Sequence, residues 1–135
     1  MENSLGILKP DCLRRGLEKE ILSIIETSGL KITERQKRYL SEEEVKIIWS
    51  TCAKEWFFPQ LIEFMRSSEV VIFVVEAVDT IRVFNDLVGS SDPSKAEKNT
   101  IRYKYGISKK ENTIHSSLDQ KEYAKEHNLL FVQKL

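Results

Sequence analysis

One histidine stands among residues that could help it react. His115 lies in Asn112-Thr113-Ile114-His115-Ser116-Ser117, surrounded by hydroxyl and amide groups. Neutral imidazole is a nucleophile near pH 7, and a phosphoramidate formed on it is reactive enough to hand its phosphoryl group onward. On local sequence alone a hydrogen-bonded structural histidine accounts for the same pattern, and is the plainer reading. His127, inside the charged run from Lys121, has no such neighbours and reads as exposed. Two cations, Lys9 in Lys9-Pro10-Asp11 and Arg102 in Thr100-Ile101-Arg102, stand in short motifs of their own. Taken singly, each passes for a solvated surface charge. Cys12 and Cys52 lack zinc-site spacing, and no cluster of carboxylates suggests a dedicated metal cage.

These residues need elements to position them. Leu5-Gly6-Ile7-Leu8 reads as a buried first strand that stops at the loop Lys9-Pro10-Asp11. Leu17, Ile21, Leu22, Ile24 and Ile25 recur at helical spacing until Gly29, a residue suited to ending a helix. Leu30, Ile32 and Tyr39, with polar residues between, predict a half-exposed second strand. Ser41 and Glu44 form a capping box for a helix carrying Val45, Ile48 and Trp49, and a further helical stretch holds Phe57, Leu61, Ile62 and Met65. Val70 to Val75, β-branched and apolar on both faces, predicts a central strand. Asp79 is placed to cap the next helix, whose inward positions are Ile81, Phe84, Leu87 and Val88, ending at Gly89. A polar loop from Ser90 to Asn99 contains Pro93, and the stretch beyond Arg102 shows few core signals before His115. A last helix begins near Asp119 without a clean stripe before the apolar Leu129 to Val132. This order gives an α+β fold, a split β-α-β antiparallel sheet of the ferredoxin-like kind covered by helices, in one domain spanning 1–135.

Composition narrows the function classes. The 135 residues carry 21 basic and 21 acidic side chains, so no net field advertises nucleic acid and any anionic ligand must be held locally. No basic, aromatic strand motif of an RNA binder is present. The longest apolar run is far below the roughly 20 residues of a membrane span. With no signal-peptide pattern at the start, a soluble, reduced, cytoplasmic setting is expected.

The set of motifs carries more than any member: Lys9-Pro10-Asp11, Arg15-Gly16-Leu17, Phe57-Phe58-Pro59, Thr100-Ile101-Arg102, and Asn112 three residues before His115. In this order and register the chain resembles nucleoside diphosphate kinases, without a gap from Lys9 to Phe131. The resemblance implies that His115 is phosphorylated during turnover, and that Glu126 hydrogen-bonds the ring nitrogen opposite the attacking one. Without it, Glu126 is one more solvated charge. It further implies that Lys9 reaches the transferred phosphate and the sugar, Arg102 binds phosphate and Asn112 contacts the sugar. Phe57 would lie against the base with Leu61 a turn further on, although Phe57 between Trp56 and Phe58 also reads as core. Ser91 keeps the hydroxyl of a phosphate-touching threonine, and Ser117 keeps the family's serine beside the nucleophile. The substrates implied are ATP and other nucleoside di- and triphosphates, with Mg²⁺ carried mainly by the phosphates.

Several positions depart from that pattern. Asn85 stands for a second phosphate-binding arginine, which weakens expected nucleotide binding, and Arg82 one helical turn earlier is a candidate substitute. Trp49 occupies the place of a tyrosine near the nucleophile and keeps only a donor. Ser116 replaces a glycine, Leu118 an aspartate, and Lys109 an apolar residue covering the base. The alternative is therefore a catalytically weakened relative serving as a nucleotide-binding or protein-interaction module. The chain ends at Leu135, short of an extension many members use in subunit contacts; a homo-oligomer is expected, its order open.

Overall fold

Residues 1–131 are described by the computed structural model. Its four strands, β1 (Glu2–Leu8), β2 (Lys31–Arg38), β3 (Val70–Ala77) and β4 (Ile114–Ser116), form one antiparallel sheet in the order β2-β3-β1-β4. Because β3 lies between β1 and β2, consecutive strands of the first unit are not neighbours, which is the split β-α-β arrangement expected. Seven helices flank the sheet: α1 (Pro10–Arg14), α2 (Glu18–Thr27), α3 (Glu42–Ile48), α4 (Phe58–Met65), α5 (Thr80–Val88), α6 (Ile101–Tyr105) and α7 (Gln120–Phe131).

The two-residue period of the strands divides the core into two layers. Leu8, Val71, Phe73 and Val75 meet Ile21, Leu22 and Ile25 of α2 and Phe84 and Val88 of α5 on one face. Leu5, Ile7, Val70 and Ile72 meet Val45, Ile48, Leu61, Phe64, Met65 and Leu130 on the other. The first six residues of β3 are all buried, as a strand covered on both faces must be. Gly6, paired with Phe73 across the sheet, leaves room for that ring, which meets Phe84 nearly edge-on at 6.0 Å between centroids. A Cβ at Gly6 would lie 2.9 Å from Phe84 Cζ and closer still to Phe73.

Four local readings change. Lys9-Pro10-Asp11 is not a loop: Pro10 opens α1, its fixed φ suiting a first helical position, and five residues are too few to show a period. Tyr39 is exposed beyond the end of β2, and Leu40 takes the buried place instead. Asp79 sits at the start of α5 with φ 55° but caps nothing; its carboxylate pairs with Arg82, and Glu2 accepts the N–H of Ile81. Ile81 and Leu87 of α5 are only half-buried, while Phe84 and Val88 are fully enclosed. Elsewhere the Ser41–Glu44 capping box is complete in both directions, and Thr100 caps α6 by accepting the Tyr103 N–H. The stripe of α7 is Glu126 and Leu130 with Tyr123 and Leu129 beside them. A carboxylate at the centre of the inward face is what disguised it; Val132, the end of the apolar stretch, lies outside the described residues.

Candidate active site

Among the described residues the histidine strand β4 pairs only with β1, Ile7 opposite His115 and Gly6 opposite Ser116. Alternation sends His115 and Ser117 toward α7, and Ile114 and Ser116 toward α5. Glu126, 2% exposed, reaches both inward residues: its Oε2 lies 3.0 Å from His115 Nε2, and its Oε1 accepts from Ser117 Oγ at 2.5 Å. A carboxylate only accepts, so Nε2 must carry the proton and the lone pair is left on Nδ1. The His115 side chain keeps 17% of its surface exposed. Trp49, following α3, lies against it with ring centroids 5.1 Å apart and planes tilted 59°. The indole thus stands where the sequence placed it.

A tight turn precedes the strand. Thr113 has φ 80°, rare for a β-branched residue, and Ile114 N–H returns to Asn112 O at 2.9 Å across it. The turn is pinned to the start of α1, because Lys9 N–H donates to Thr113 O at 2.9 Å. Nothing in the sequence signals this conformation, since glycine or asparagine is the usual occupant.

The cations arrive from two directions. Lys9, 4% exposed, donates through Nζ to Lys110 O at 2.9 Å and to Asn112 Oδ1 at 3.0 Å. Burial lowers its pKa to about 8, with the Arg102 charge adding to the fall and Asp11 and Cys52 opposing it. Arg102 of α6 bridges the end of α5 to β4, donating to Gly89 O at 2.8 Å and Ile114 O at 2.6 Å; burial lowers it to about 10. Its Nε is buried without a partner. Asn112 donates to the carbonyl of Ser91 at 2.9 Å, so Ser91 is tied in by its backbone. Lys9 and Arg102 are like charges close enough to act on each other, a repulsion that an anion would relieve.

The remaining candidates divide. Phe57 precedes α4 half-buried, edge-on to the exposed Trp56, whereas Leu61 is built into the core. Asn85 is fully engaged: its Oδ1 accepts from Ser116 Oγ at 2.6 Å and its amide donates to Ser117 O at 3.0 Å. Arg82, on the turn of α5 before Asn85, pairs with Asp79 at 2.6 Å and Asp86 at 3.5 Å and stays largely exposed. His127 is not merely exposed: it pairs with Glu34 of β2 at 2.8 Å and stacks on Phe131. The carboxylate of Asp11, quoted in the motif without a role, is buried, and burial raises its pKa with the Lys9 charge opposing.

The family profile described as nucleoside diphosphate kinase matches residues 2–135. The chain is 37% identical to a nucleoside diphosphate kinase of Chlorobaculum tepidum over 87% of this chain and 84% of that one. It is 35% identical to one of Saccharolobus islandicus over 99% and 96%. Its fold is similar to the crystal structure of the Encephalitozoon cuniculi nucleoside diphosphate kinase, with a TM-score of 0.94 at 29% identity, covering 100% of this chain and 94% of that one. It is also similar to the halophilic enzyme of Halobacterium salinarum in complex with CDP, with a TM-score of 0.92 at 31% identity over 98% and 88%.

Proposed function

The chain belongs to the nucleoside diphosphate kinase family, and from that premise we propose that it passes the terminal phosphoryl group of ATP or another nucleoside triphosphate to a nucleoside diphosphate through His115. The observation that carries this reading is the buried Glu126 carboxylate on Nε2, which leaves Nδ1 as the nucleophile. Nδ1 attacks the γ-phosphorus, the bond to the bridging oxygen breaks, and its electron pair leaves with the diphosphate. Imidazolium character on the phosphorylated ring is balanced by Glu126. A terminal oxygen of the second diphosphate then attacks the same phosphorus, and the P–N bond breaks to restore the ring.

Lys9 and Arg102 oppose the charge that gathers on the transferring oxygens, and Asn112, held between Lys9 and Ser91, orients the sugar. Phe57 offers a ring face to the base, with Leu61 supporting it from the core; stacking of that kind tolerates any base. Among the described residues no three His, Cys, Asp or Glu side chains converge. The ligands of Mg²⁺ would come chiefly from the nucleotide phosphates and water, as in the sequence reading. When bound with the nucleotide, the ion supplies neutralising charge at the phosphate oxygens.

The retained Lys9, Glu126 and His115 favour turnover over a purely binding role. The whole chain is read as one such domain, cytoplasmic and homo-oligomeric. No described helix is long and apolar enough to cross a membrane; no nucleic-acid partner is expected of a chain with balanced charge.

The test is incubation with radiolabelled ATP and Mg²⁺, comparing wild type with His115→Ala, then adding unlabelled GDP. Acid-labile, alkali-stable label that requires His115 and moves to GDP supports the reading. Nucleotide binding without label would replace it with the binding-module alternative.

A further inference from the structure

One ring of the core faces charge. Phe64, on α4, is 9% exposed and belongs to the apolar layer with Leu61 and Met65. Three cations stand over its ring: the Arg14 guanidinium carbon and Lys110 Nζ, each 5.5 Å from the centroid, and Lys9 Nζ at 6.0 Å. All lie within the range at which a ring face attracts a cation. They come from separate places in the chain, for Lys9 precedes α1, Arg14 ends it, and Lys110 belongs to the segment between α6 and β4. Among the described residues none of the three forms an ion pair within 4 Å. Like charges gathered in this way repel, and an aliphatic side chain at position 64 would leave that repulsion unopposed. An aromatic face opposes it, because its π-electrons present negative charge to a cation above it, more effectively where water is excluded.

Hydrogen bonds turn the meeting into a scaffold. Lys9 Nζ donates to the carbonyl of Lys110 at 2.9 Å and to Asn112 Oδ1 at 3.0 Å, both neutral acceptors. Lys110 thus has its carbonyl on Lys9 and its ammonium over the ring that Lys9 also overlies. Arg14 donates to Ser67 Oγ at 3.2 Å, and Ser67 Oγ donates to the carbonyl of Phe64 at 2.6 Å, which ties the end of α1 to α4. From Lys110 the chain runs through Asn112 into the Thr113 turn, whose carbonyl takes the Lys9 N–H. The start of α1, the end of α4 and the segment leading to His115 therefore meet around this ring.

Resting on the kinase reading, we propose that Phe64 is a positioning residue for phosphoryl transfer: its ring face holds Lys9 and Lys110 in place, and through them the cation that meets the phosphate and the asparagine that meets the sugar.

What the ring face supplies is separable from what its bulk supplies. Fluorine on the ring withdraws π-density step by step while size and burial change little. A packing role is indifferent to that series, and a cation-holding role declines along it. Trifluorophenylalanine at position 64 should lower the single-turnover rate of His115 phosphorylation roughly three- to tenfold, with the mono- and difluoro rings in between. Phe64→Leu, which has no face, should lower it at least as far. Phe64→Tyr, which keeps one, should return it to near wild type.

The experiment introduces each ring at position 64 alone and follows phosphorylation with labelled ATP and Mg²⁺, beside the urea midpoint. In ¹³C-lysine protein the Cε–Hε signals of Lys9 and Lys110, assigned with Lys9→Arg and Lys110→Arg, report the ring without reference to activity, since protons over an aromatic face move upfield. The expected result is a rate whose logarithm falls in step with fluorine number at a steady midpoint, and upfield lysine signals that relax in Phe64→Leu. A rate indifferent to fluorination would overturn the proposal, and so would Lys9 and Lys110 signals that Phe64→Leu leaves in place. Should Phe64→Leu not fold, Phe64→Met replaces it under the same criteria. If wild type takes no label on His115, the kinase reading fails, while the lysine signals still decide whether the ring holds the two cations.

Discussion

Glu126→Gln isolates the carboxylate at the centre of the site. Glu126 accepts from His115 Nε2 at 3.0 Å and from Ser117 Oγ at 2.5 Å, both through oxygens. Glutamine of the same size has one oxygen. If that oxygen faces His115, a charge-assisted bond becomes a neutral one, a loss of about 1–1.5 kcal/mol, or roughly tenfold in rate. If the amide faces His115 instead, the ring must present a lone pair at Nε2 and carry its proton on Nδ1, where the attack should occur. A wrong tautomer of this kind costs on the order of a thousandfold or more. The expected result is therefore at least a tenfold fall in the single-turnover rate of His115 phosphorylation. Trp49 gives the assay, because its ring lies 5.1 Å from the imidazole and a phosphoryl group brings up to about two negative charges beside it. Stopped-flow mixing with ATP and Mg²⁺ would follow the indole emission. Removing a buried charge also relieves desolvation, so the urea midpoint should hold or rise. A rate within about threefold of wild type would refute the assignment of Glu126 as the group that selects the tautomer. A large loss of stability would refute the view that its charge serves the reaction more than the fold.

Further outcomes follow from the same geometry. Asn85→Arg alone displaces the acceptor of Ser116 Oγ, so the gain in nucleotide affinity should appear fully only with Ser116→Gly; a double-mutant cycle on KM for ADP would show coupling of at least about 0.5 kcal/mol. Gly6→Ala drives a methyl against two fully buried rings, Phe73 and Phe84, and should cost about 1–3 kcal/mol in urea unfolding. Burial pushes the Cys12 thiol up to about 12, so iodoacetamide at pH 8 should label Cys52 and spare Cys12, as read by peptide mass spectrometry.

Much of the scaffold was legible from local pattern. The run from Val70 to Val75 could only be a strand covered on both faces, and Ser41 with Glu44 marked a helix start that forms as written. Helical spacing located α2 and α5 within a residue or two. What escaped were elements too short to have a period, such as α1 and α6, and the inward stripe of α7. That stripe was hidden because a carboxylate occupies one of its core positions, and hydrophobic patterning counts a carboxylate as surface.

The sequence by itself determined the order of the elements, the family resemblance and the reactive types at each station: an imidazole, two cations, a carboxylate, an asparagine. Those depend on residue identity and short-range spacing, which the chain states directly. Only the tertiary structure decided which of them meet. Pairing of β4 with β1 fixes the side from which His115 looks out, and the packing of α7 brings Glu126 onto Nε2, where it chooses the tautomer. The same packing filled the acceptor and donor of Asn85 with serine groups. It also enclosed Lys9 and Asp11 together. How strongly a charge holds its proton depends on the water excluded around it and on charges brought near from elsewhere in the chain, and neither quantity exists until the chain is folded.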